Sequence, residues 1–409
     1  MNAWLTVVGL GADGPDGLPP ATRALIDNAE LLVGGERHLG LIANSHCKKV
    51  TWGFPLDAIM ATIAENRSKR VVVLATGDPM AYGIGSTLAR FFVPEDMVIM
   101  PAPGAFSLAA ARMVWPLDCC VCLTLHGRPL DLLAYHAQSG ARLLILSHDG
   151  STPAKVAARL TELGFAPSQI TVLQNMGTED ETRHNATAEA WSATGIADLN
   201  TIAIECLTGS GAQVNSHAPG LPDSAFLHDG QLTKRVVRAA TLATLAPLPG
   251  QHLWDLGAGS GSIAIEWLRA AQNAQGLGAS AAAVERERER AARIAENASR
   301  LGTPFLEIIT ADIATALPNL APPDAAFIGG GLSNKRLVET VWQALKPGGR
   351  IVSNAVTLES EQVLAAAHAS FGGELSRIAV SNAEPVGEHT GWRPAMTVTQ
   401  WSVTKAIST

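Results

Sequence analysis

A glycine-rich turn in the second half of the chain carries the clearest chemical signal. Residues 255–262 read D-L-G-A-G-S-G-S, after the apolar run His252–Leu256 and before the helical stretch Ile263–Ala271. Glycines in such a turn let a ligand approach the backbone, and the following helix N-terminus offers free N–H donors. Asp255, two positions before the first glycine, disfavours a pyrophosphate and suits a cationic sulfonium or an amino group. The pattern indicates a site for a positively charged nucleoside cofactor.

The spacing of the glycines separates this turn from that of a dinucleotide-binding fold. Such folds follow G-x-G-x-x-G, whereas Gly257, Gly259 and Gly261 follow G-x-G-x-G. An NAD-dependent oxidoreductase therefore stays an alternative that the spacing disfavours, and cofactor spectroscopy would distinguish it.

Glu285 ends the next apolar run, Ala281–Glu285. A carboxylate at the tip of a second strand can accept hydrogen bonds from both ribose hydroxyls. The competing interpretation is that Glu285 opens the charged run Glu285–Arg290, a solvated helix face with i,i+4 pairs. Its place at the strand end favours ribose binding, and Ala311–Asp312 would lie near the adenine edge. The predicted cofactor contacts here are Gly257, Ala258, Gly259, Ser260, Gly261, Glu285 and Ala311.

These residues resemble the class I S-adenosylmethionine-dependent methyltransferases. The resemblance covers about residues 227–409 and includes the late turn Leu345–Val352. It implies S-adenosyl-L-methionine as cofactor. It also implies a Rossmann-like, mostly parallel seven-stranded sheet that ends in an antiparallel pair.

Three further stretches, Phe226–Arg238, Phe327–Leu332 and Ser353–Glu359, look like the cobalamin-pathway domain that methylates and decarboxylates a precorrin. In such domains the threonine of a Thr-Lys pair is implied to contact the cofactor, which here is Thr233. Glycines at 329–331 would let a flat macrocycle lie near the backbone, although an ordinary loop would use them too.

The implied substrate carries acetate and propionate groups, which arginine forks match in a bidentate way. Surface arginines are usually only solvated, so we expect about two of five candidate basic residues to touch substrate. The five are Lys234, Arg235, Arg238, Arg336 and Arg393. The predicted substrate contacts are Arg238, Gly330, Gly331 and Arg393, and the candidate catalytic residues are Lys234, Asn354 and Glu359. Glu359 also suits the first turn of a helix, where acidic residues are favoured.

The first half contains three Gly/Pro loops at predicted strand ends, at residues 8–17, 74–80 and 101–108. Strand carboxyl ends are where an open α/β sheet binds ligands. This set resembles the tetrapyrrole methylases over about residues 4–207, which implies S-adenosylmethionine held between two α/β subdomains. The implied cofactor contacts are Gly77, Asp78, Pro79 and Ser107. Asp78 is equally suited to capping a turn.

Apolar β-branched runs alternate with Ala-rich stretches, which predicts a two-domain α/β chain. Strands are predicted at Leu5–Leu10, Val71–Ala75, Met97–Met100, Arg142–Ser147, Ile170–Leu173, Thr201–Leu207, His252–Leu256, Ala281–Glu285, Phe305–Thr310, Ala325–Gly329, Arg350–Ala355, Ser376–Asn382 and Ala395–Thr404. Helices in the first half are predicted at Ala21–Asn28, Pro55–Asn66, Gly85–Phe91, Ala105–Met113, Thr152–Leu163 and Thr187–Ala193. A low-periodicity stretch rich in Gly, Ser and Pro, residues 209–223, predicts a linker between domains 1–208 and 224–409.

The composition excludes several classes of protein. The 409 residues are 47% apolar and 16% charged, which supports a large core and excludes a disordered chain. A net charge of −7 and 5% aromatic residues argue against nucleic-acid binding, including an RNA methyltransferase. Five irregularly spaced cysteines favour neither a disulfide framework nor a metal site. No apolar run in the sequence approaches the roughly 20 residues that a membrane-spanning helix needs. We therefore expect a cytoplasmic enzyme without membrane partners.

The joining of these two halves resembles bifunctional methyltransferases of cobalamin biosynthesis. That resemblance implies one S-adenosylmethionine per domain, methylation at meso carbons 5 and 15 of a precorrin, and decarboxylation of the ring C acetate. It also implies a homo-oligomer. The alternatives are an unrelated S-adenosylmethionine-dependent methyltransferase and a tetrapyrrole-binding scaffold with one active half. Binding of a single cofactor per chain would favour the scaffold.

Overall fold

The chain divides into two units in the computed structural model, which describes residues 3–42, 47–53, 55–212, 214–272, 278–334 and 336–407. The first unit comprises Met1–Arg128, Gly140–Thr161 and Ala166–Leu207. The second comprises Pro129–Ser139, Glu162–Phe165 and Thr208–Thr409. Among the described residues, no helix is both long enough and apolar enough to span a bilayer.

The first unit begins with a five-stranded, fully parallel sheet in the order β3-β2-β4-β1-β5. Its strands are β1 (Leu5–Leu10), β2 (Leu31–Gly34), β3 (Lys48–Thr51), β4 (Val71–Thr76) and β5 (Met97–Met100). The intervening and following helices are α1 (Pro20–Asp27), α2 (Glu36–Leu41), α3 (Leu56–Glu65), α4 (Ile84–Leu88) and α5 (Ala105–Met113). Separate apolar clusters contain Val7 and Val8, neighbours on β1. Both faces of this sheet are therefore covered, as parallel sheets require.

A second, mixed sheet completes the first unit in the order β6-β7-β10-β8-β9. Its strands are β6 (Cys120–Thr124), β7 (Arg142–Leu146), β8 (Gln169–Gln174), β9 (Thr182–Thr187) and β10 (Asn200–Glu205). Helices α6 (Leu133–His136) and α7 (Thr152–Glu162) lie between these strands in the sequence. Only β6 and β7 pair in parallel. Helix α5 packs on this sheet through Phe106 and Ala109.

The second unit is built on a seven-stranded sheet in the order β13-β12-β11-β14-β15-β19-β16. Its elements are α8 (Arg235–Leu245), β11 (His252–Leu256), α9 (Ser262–Ala271), β12 (Ser280–Glu285), α10 (Arg288–Arg300), β13 (Glu307–Thr310), α11 (Ile313–Ala316), β14 (Ala325–Ile328), α12 (Leu337–Ala344), β15 (Arg350–Ala355), α13 (Leu358–Phe371), β16 (Glu374–Ile378), β17 (Ser381–Val386), β18 (His389–Pro394) and β19 (Val398–Thr404). Strand β19 is antiparallel to both its neighbours, and the other pairs are parallel. The predicted two-domain α/β class is confirmed.

Two sequence-based assignments of secondary structure are wrong. The predicted helix Thr187–Ala193 is absent, because Thr187 ends β9 by pairing with Gln169 and the following residues turn. The predicted single strand Ser376–Asn382 covers parts of two separate strands, the end of β16 and the start of β17. Strands β17 and β18 form a separate hairpin that is exposed on both faces. Such a ribbon lacks the alternation of apolar and polar residues that identifies half-buried strands.

A short segment of the first half packs into the second unit. The Tyr135 ring stacks on His217 with centroids 4.0 Å apart, and the Arg269 guanidinium lies 5.4 Å from the Tyr135 centroid. A Cβ on Gly302 would collide with the Tyr135 backbone nitrogen. Helix α6 is therefore part of the second unit, although β6 and β7 on either side belong to the first.

A fragment of residues 208–409 should be more stable than one of residues 221–409. Arg269 is 1% exposed and donates hydrogen bonds to the carbonyls of Asn215 at 3.0 Å and Ser216 at 3.2 Å. Truncation at 221 removes both of these acceptors from the buried Arg269 guanidinium. Each lost hydrogen bond to a charged group lowers the free energy of unfolding by about 1.5–3 kcal/mol. Urea unfolding of both fragments measures this difference. A fragment that starts at 215 is the control and should match the longer one; equal stability at 208 and 221 would contradict the prediction.

Candidate active site

A cavity of about 1130 Å³ opens in the second unit where the strands β11, β12, β14 and β15 end. This edge is where open α/β sheets bind ligands. It brings together residues from most of the motifs that the sequence indicated. The predicted site residues in its lining are Thr233, Lys234, Gly257, Ala258, Gly259, Ser260, Glu285, Ala311, Gly330, Gly331 and Asn354.

The glycine loop at residues 257–261 adopts backbone angles that favour glycine. Gly257 has φ +75°, and its Cβ would lie 2.9 Å from the Gly330 Cα. Gly259 has φ +59° and lies in the cavity lining. Gly261 does not line the cavity; it caps α9 at φ +76°, and its Cβ would lie 2.7 Å from Ile294 Cγ2. Gly261 therefore has a packing role in the structure, and its contact with the cofactor stays a prediction.

Glu285 is a buried part of the cavity wall, with 5% of the residue exposed. One carboxylate oxygen accepts the Gly259 N–H at 2.9 Å, and the other accepts the Glu287 N–H at 3.0 Å. Helix α10 begins only at Arg288. Glu285 therefore does not belong to the solvated helix face, and its carboxylate braces the glycine loop from the end of β12. Ribose binding by Glu285 stays a prediction.

Asp255 lies beneath the glycine loop with 1% of the residue exposed. Its Oδ2 accepts the Ala264 N–H at 3.0 Å, whereas Oδ1 has no hydrogen-bond partner among the residues that the structure describes. Burial raises the pKa of Asp255 to about 7; the Glu285 charge also raises it, and the Ala264 hydrogen bond lowers it. A buried carboxyl with one unsatisfied oxygen is costly unless it gains a cationic or hydrogen-bonding partner.

Asp255→Asn should stabilise the ligand-free protein more at about pH 8 than at about pH 5. The pKa of Asp255 is raised from 3.8 to about 7, so the folded state binds this proton more tightly than the unfolded state. The resulting stability is fully present below the unfolded pKa and is lost as the pH rises through about 7. Asparagine has no carboxyl group to ionise, so the variant does not lose this stability as the pH rises. Urea unfolding of variant and wild type at both pH values tests this, and a pH-independent difference would contradict it.

Arg238 is in the core, which corrects the prediction that it binds substrate. It is 0% exposed, and its Nε donates to Glu266 Oε1 at 2.6 Å. Its Nη1 donates to Asp223 at 3.0 Å and to the Thr233 carbonyl at 2.5 Å. A guanidinium with these partners has no face open to a ligand. Arg238 instead anchors the segment that carries Thr233 and Lys234.

Asn354 lines the cavity with its amide held on both sides. Its Nδ2 donates to Thr241 Oγ1 at 2.9 Å, and its Oδ1 accepts from Gln400 Nε2 at 3.0 Å. Glu359 lies in the first turn of α13, outside the cavity lining. Arg393, on the exposed hairpin, pairs with Glu384 at 3.1 Å and is also outside it. The structure does not bring Glu359 or Arg393 to the other predicted residues.

Several lining residues were not predicted from the sequence. Arg286 and Arg290 line the cavity although they belong to a charged run that resembled a solvated helix face. Asn382 lines it from β17, and Met396 lines it from the segment between β18 and β19. Arg286 directly follows Glu285, and only that position could have indicated it; Arg290 lies further along the same charged run.

The predicted residues of the first unit lie at loops that follow its parallel strands. Gly77 has φ +57°, and its Cβ would lie 2.7 Å from the Gly104 Cα. Asp78 Oδ1 accepts the Met80 N–H at 2.8 Å, so this side chain caps a turn as one interpretation expected. Pro79 is buried in the same loop, and Ser107 is exposed in the first turn of α5. The loops after β4 and β5 therefore meet in backbone contact.

The strand order of the second unit and the cavity at its carboxyl edge define a class I methyltransferase fold. Residues 224–405 match the family model described as Precorrin methyltransferase domain. Residues 4–191 match that of the Tetrapyrrole (Corrin/Porphyrin) Methylases.

Full-length relatives identify the family. The chain is 45% identical over 406 residues to the precorrin-6Y C(5,15)-methyltransferase (decarboxylating) of Sinorhizobium sp, covering 99% of this chain and 97% of that protein. It is 39% identical over 407 residues to the enzyme of the same name from Mycobacterium tuberculosis, covering 98% and 100%. A crystal structure of the C-terminal domain of precorrin-6Y C5,15-methyltransferase from Rhodobacter capsulatus is 44% identical, with TM-score 0.43, and covers 46% of this chain and 100% of that chain. The chain belongs to the precorrin-6Y C(5,15)-methyltransferase (decarboxylating) family.

This membership confirms the decarboxylating methyltransferase expected from the sequence. It also decides against the NAD-dependent oxidoreductase and the unrelated methyltransferase. Use of S-adenosylmethionine follows from the methyltransferase family.

Proposed function

We propose that this chain methylates precorrin-6Y at meso carbons 5 and 15 and decarboxylates its ring C acetate, giving precorrin-8X. The observation that carries the proposal is 45% identity over 99% of the chain to a protein of that name. We also propose that each unit binds one S-adenosylmethionine. The glycine turns at Gly77 and Gly257, each at the end of a buried parallel strand, support a site in each unit.

The cavity of the second unit fits S-adenosylmethionine. A cofactor of this kind, when bound, supplies an electrophilic methyl group on a cationic sulfur. The unpartnered Asp255 Oδ1 is buried near the loop, where a cationic partner would favour the charged form of this carboxyl. Gly257, whose Cβ would collide with Gly330, lets the two glycine segments of the cavity wall pack closely. Glu285 supplies carboxylate oxygens for the ribose hydroxyls, and Thr233 and Ala311 also line the cavity. These carboxylates would be a poor match for a pyrophosphate.

Methyl transfer needs alignment more than it needs an acid or a base. The reduced macrocycle has electron-rich meso carbons, so the substrate itself is the nucleophile. A carbon–carbon bond forms as the carbon–sulfur bond breaks, and loss of a proton from the methylated macrocycle balances the charge. Holding the reactants in line contributes up to roughly 7–11 kcal/mol. Gly330 and Gly331 would let the flat ring approach the backbone, and the fixed amide of Asn354 borders that space.

Decarboxylation breaks the bond between the acetate methylene carbon and its carboxylate. The electron pair passes into the conjugated macrocycle, and a proton then replaces carbon dioxide to leave a methyl group. A desolvated carboxylate beside such an electron sink is sufficient. We assign this step and one methylation to the second unit, which carries the large cavity.

Basic side chains at the cavity are placed to bind the other carboxylates of the substrate. Lys234 and Arg235, two of the five candidates, are exposed and line the cavity. Arg286 adds a third exposed cation in that lining. A charge-assisted hydrogen bond from each to a carboxylate would orient the macrocycle.

We further propose that the enzyme acts in the cytoplasm as a homo-oligomer. The hairpin of β17 and β18 supports self-association, because Val386 is 62% and Trp392 78% exposed. A two-stranded hairpin is marginally stable unless it packs on something else.

Mass spectrometry after incubation of the full chain with S-adenosylmethionine and precorrin-6Y tests this function. The expected product has gained two methyl groups and lost carbon dioxide. A product without carbon dioxide loss, or one that gains only a single methyl group at full conversion, would contradict it.

A further inference from the structure

Residues 220–234, which we call the strap, form one wall of the cavity before α8 begins. Gly230, Gln231 and Thr233 line the cavity from the strap. The Gln231 carbonyl oxygen lies 3.2 Å from the position that a Cβ of Gly259 would occupy. The strap therefore faces the glycine loop closely, and their separation sets the width of the proposed cofactor site.

One buried amide joins the strap to the glycine loop. Asn297, in α10, is 0% exposed. Its Oδ1 accepts the Leu227 N–H at 2.8 Å, and its Nδ2 donates to the Leu227 carbonyl at 2.9 Å. The same Nδ2 donates to the Ser260 carbonyl at 3.0 Å. A single side chain thus holds the strap and the loop at a fixed distance from α10.

Ion pairs hold two other points of the strap. The Arg238–Glu266 pair holds the start, because Glu266 accepts the N–H groups of Gly220 at 2.5 Å and Leu221 at 3.2 Å. Further along, Asp229 accepts hydrogen bonds from Arg290 at 2.9 Å and Arg293 at 3.1 Å. The hydrogen bond from Arg290 holds the pKa of Asp229 well below its usual range. Neither ion pair touches the glycine loop, so Asn297 supplies the link between the two walls.

We propose that Asn297 is a positioning residue for the cofactor site of the second unit. It does not line the cavity and acts through Leu227 and Ser260. The inference rests on the proposed function of this cavity as a cofactor site. Bound cofactor needs both walls in place. Its apparent affinity is therefore proportional to the fraction of molecules in which the two walls are correctly spaced.

Asn297→Ala should therefore weaken cofactor binding at the second site about 10-fold, since it removes three buried hydrogen bonds. Asn297→Asp is nearly isosteric; it keeps an acceptor for the Leu227 N–H and removes the donor to the carbonyls of Leu227 and Ser260. We expect a similar loss from both variants. The KM for S-adenosylmethionine should rise in the second unit's transfer, while kcat at saturating cofactor stays unchanged.

The test is calorimetric titration of the full chain with S-adenosylmethionine, with Val341→Ala as the control. Val341 is a fully buried core residue of α12 that lies outside the cavity lining, so its truncation lowers stability without moving either wall. Its cofactor affinity should match that of the wild type. Equal loss of affinity in the control would reduce Asn297 to a general stability role and overturn the proposal.

The outcomes separate this inference from the function it rests on. Two cofactors bound to the wild type, with unchanged affinity in folded Asn297→Asp, would overturn the role of Asn297 alone. A wild type that binds no cofactor in the second unit would overturn the proposed function of the cavity and this inference with it.

Discussion

Gly259→Val should abolish methyl transfer by the second unit and leave that of the first unit intact. Gly259 has φ +59°, a conformation that a β-branched residue adopts only at high cost. Its Cβ would also lie 3.2 Å from the Gln231 carbonyl, so the added methyl groups would fill the space between strap and loop. The product, measured by mass spectrometry, should carry at most one new methyl group. A doubly methylated product would show that the glycine loop is not the second site.

The matched control for this variant is Gly250→Val. Gly250 has φ +81° in the turn before β11, and nothing lies within 4 Å of its Cβ position. It imposes similar backbone strain outside the cavity. The control should form doubly methylated product, although its unfolding temperature should fall as well.

Glu285→Ala should weaken cofactor binding in the second unit by roughly 10–150-fold. The predicted hydrogen bonds from ribose hydroxyls to a charged acceptor are worth about 1.5–3 kcal/mol. The variant also loses the brace from Glu285 to the Gly259 N–H at 2.9 Å. Calorimetry of the full chain gives the dissociation constant of each site.

Glu287→Ala is the control in the same charged run. The Glu287 carboxylate pairs with Arg286 at 3.2 Å on the exposed surface, and Glu287 is not part of the cavity lining. Its removal should leave both dissociation constants unchanged. If Glu285→Ala likewise leaves both dissociation constants unchanged, ribose binding by Glu285 is refuted.

The sequence was informative where function imposes local rules. Three glycines in left-handed conformations, a carboxylate at a strand end and continuous apolar strands are each visible as a pattern of neighbouring residues in the sequence. The cavity edge was therefore predictable from the glycine loop and Glu285. The mostly parallel, seven-stranded sheet followed from the resemblance that these residues carry.

The errors came from interactions between distant parts of the chain. Arg238 was predicted to bind substrate because an arginine near a motif gives no sign of burial; its partner Glu266 is 28 residues away. Helix α6 packs in the second unit through a Tyr135–His217 stack that no periodicity indicates. Asn215 and Ser216, within the predicted linker at residues 209–223, satisfy the buried Arg269, and no local pattern indicates this contact.

The central claim is that each of the two units holds its own S-adenosylmethionine. Calorimetric titration of the wild-type chain tests it most directly, with Gly77→Val as a companion variant, because the Cβ of residue 77 would lie 2.7 Å from the Gly104 Cα at the proposed first site. We expect two cofactors per wild-type chain and one per variant chain. A stoichiometry of one in the wild type would contradict it and would favour a scaffold with a single active half.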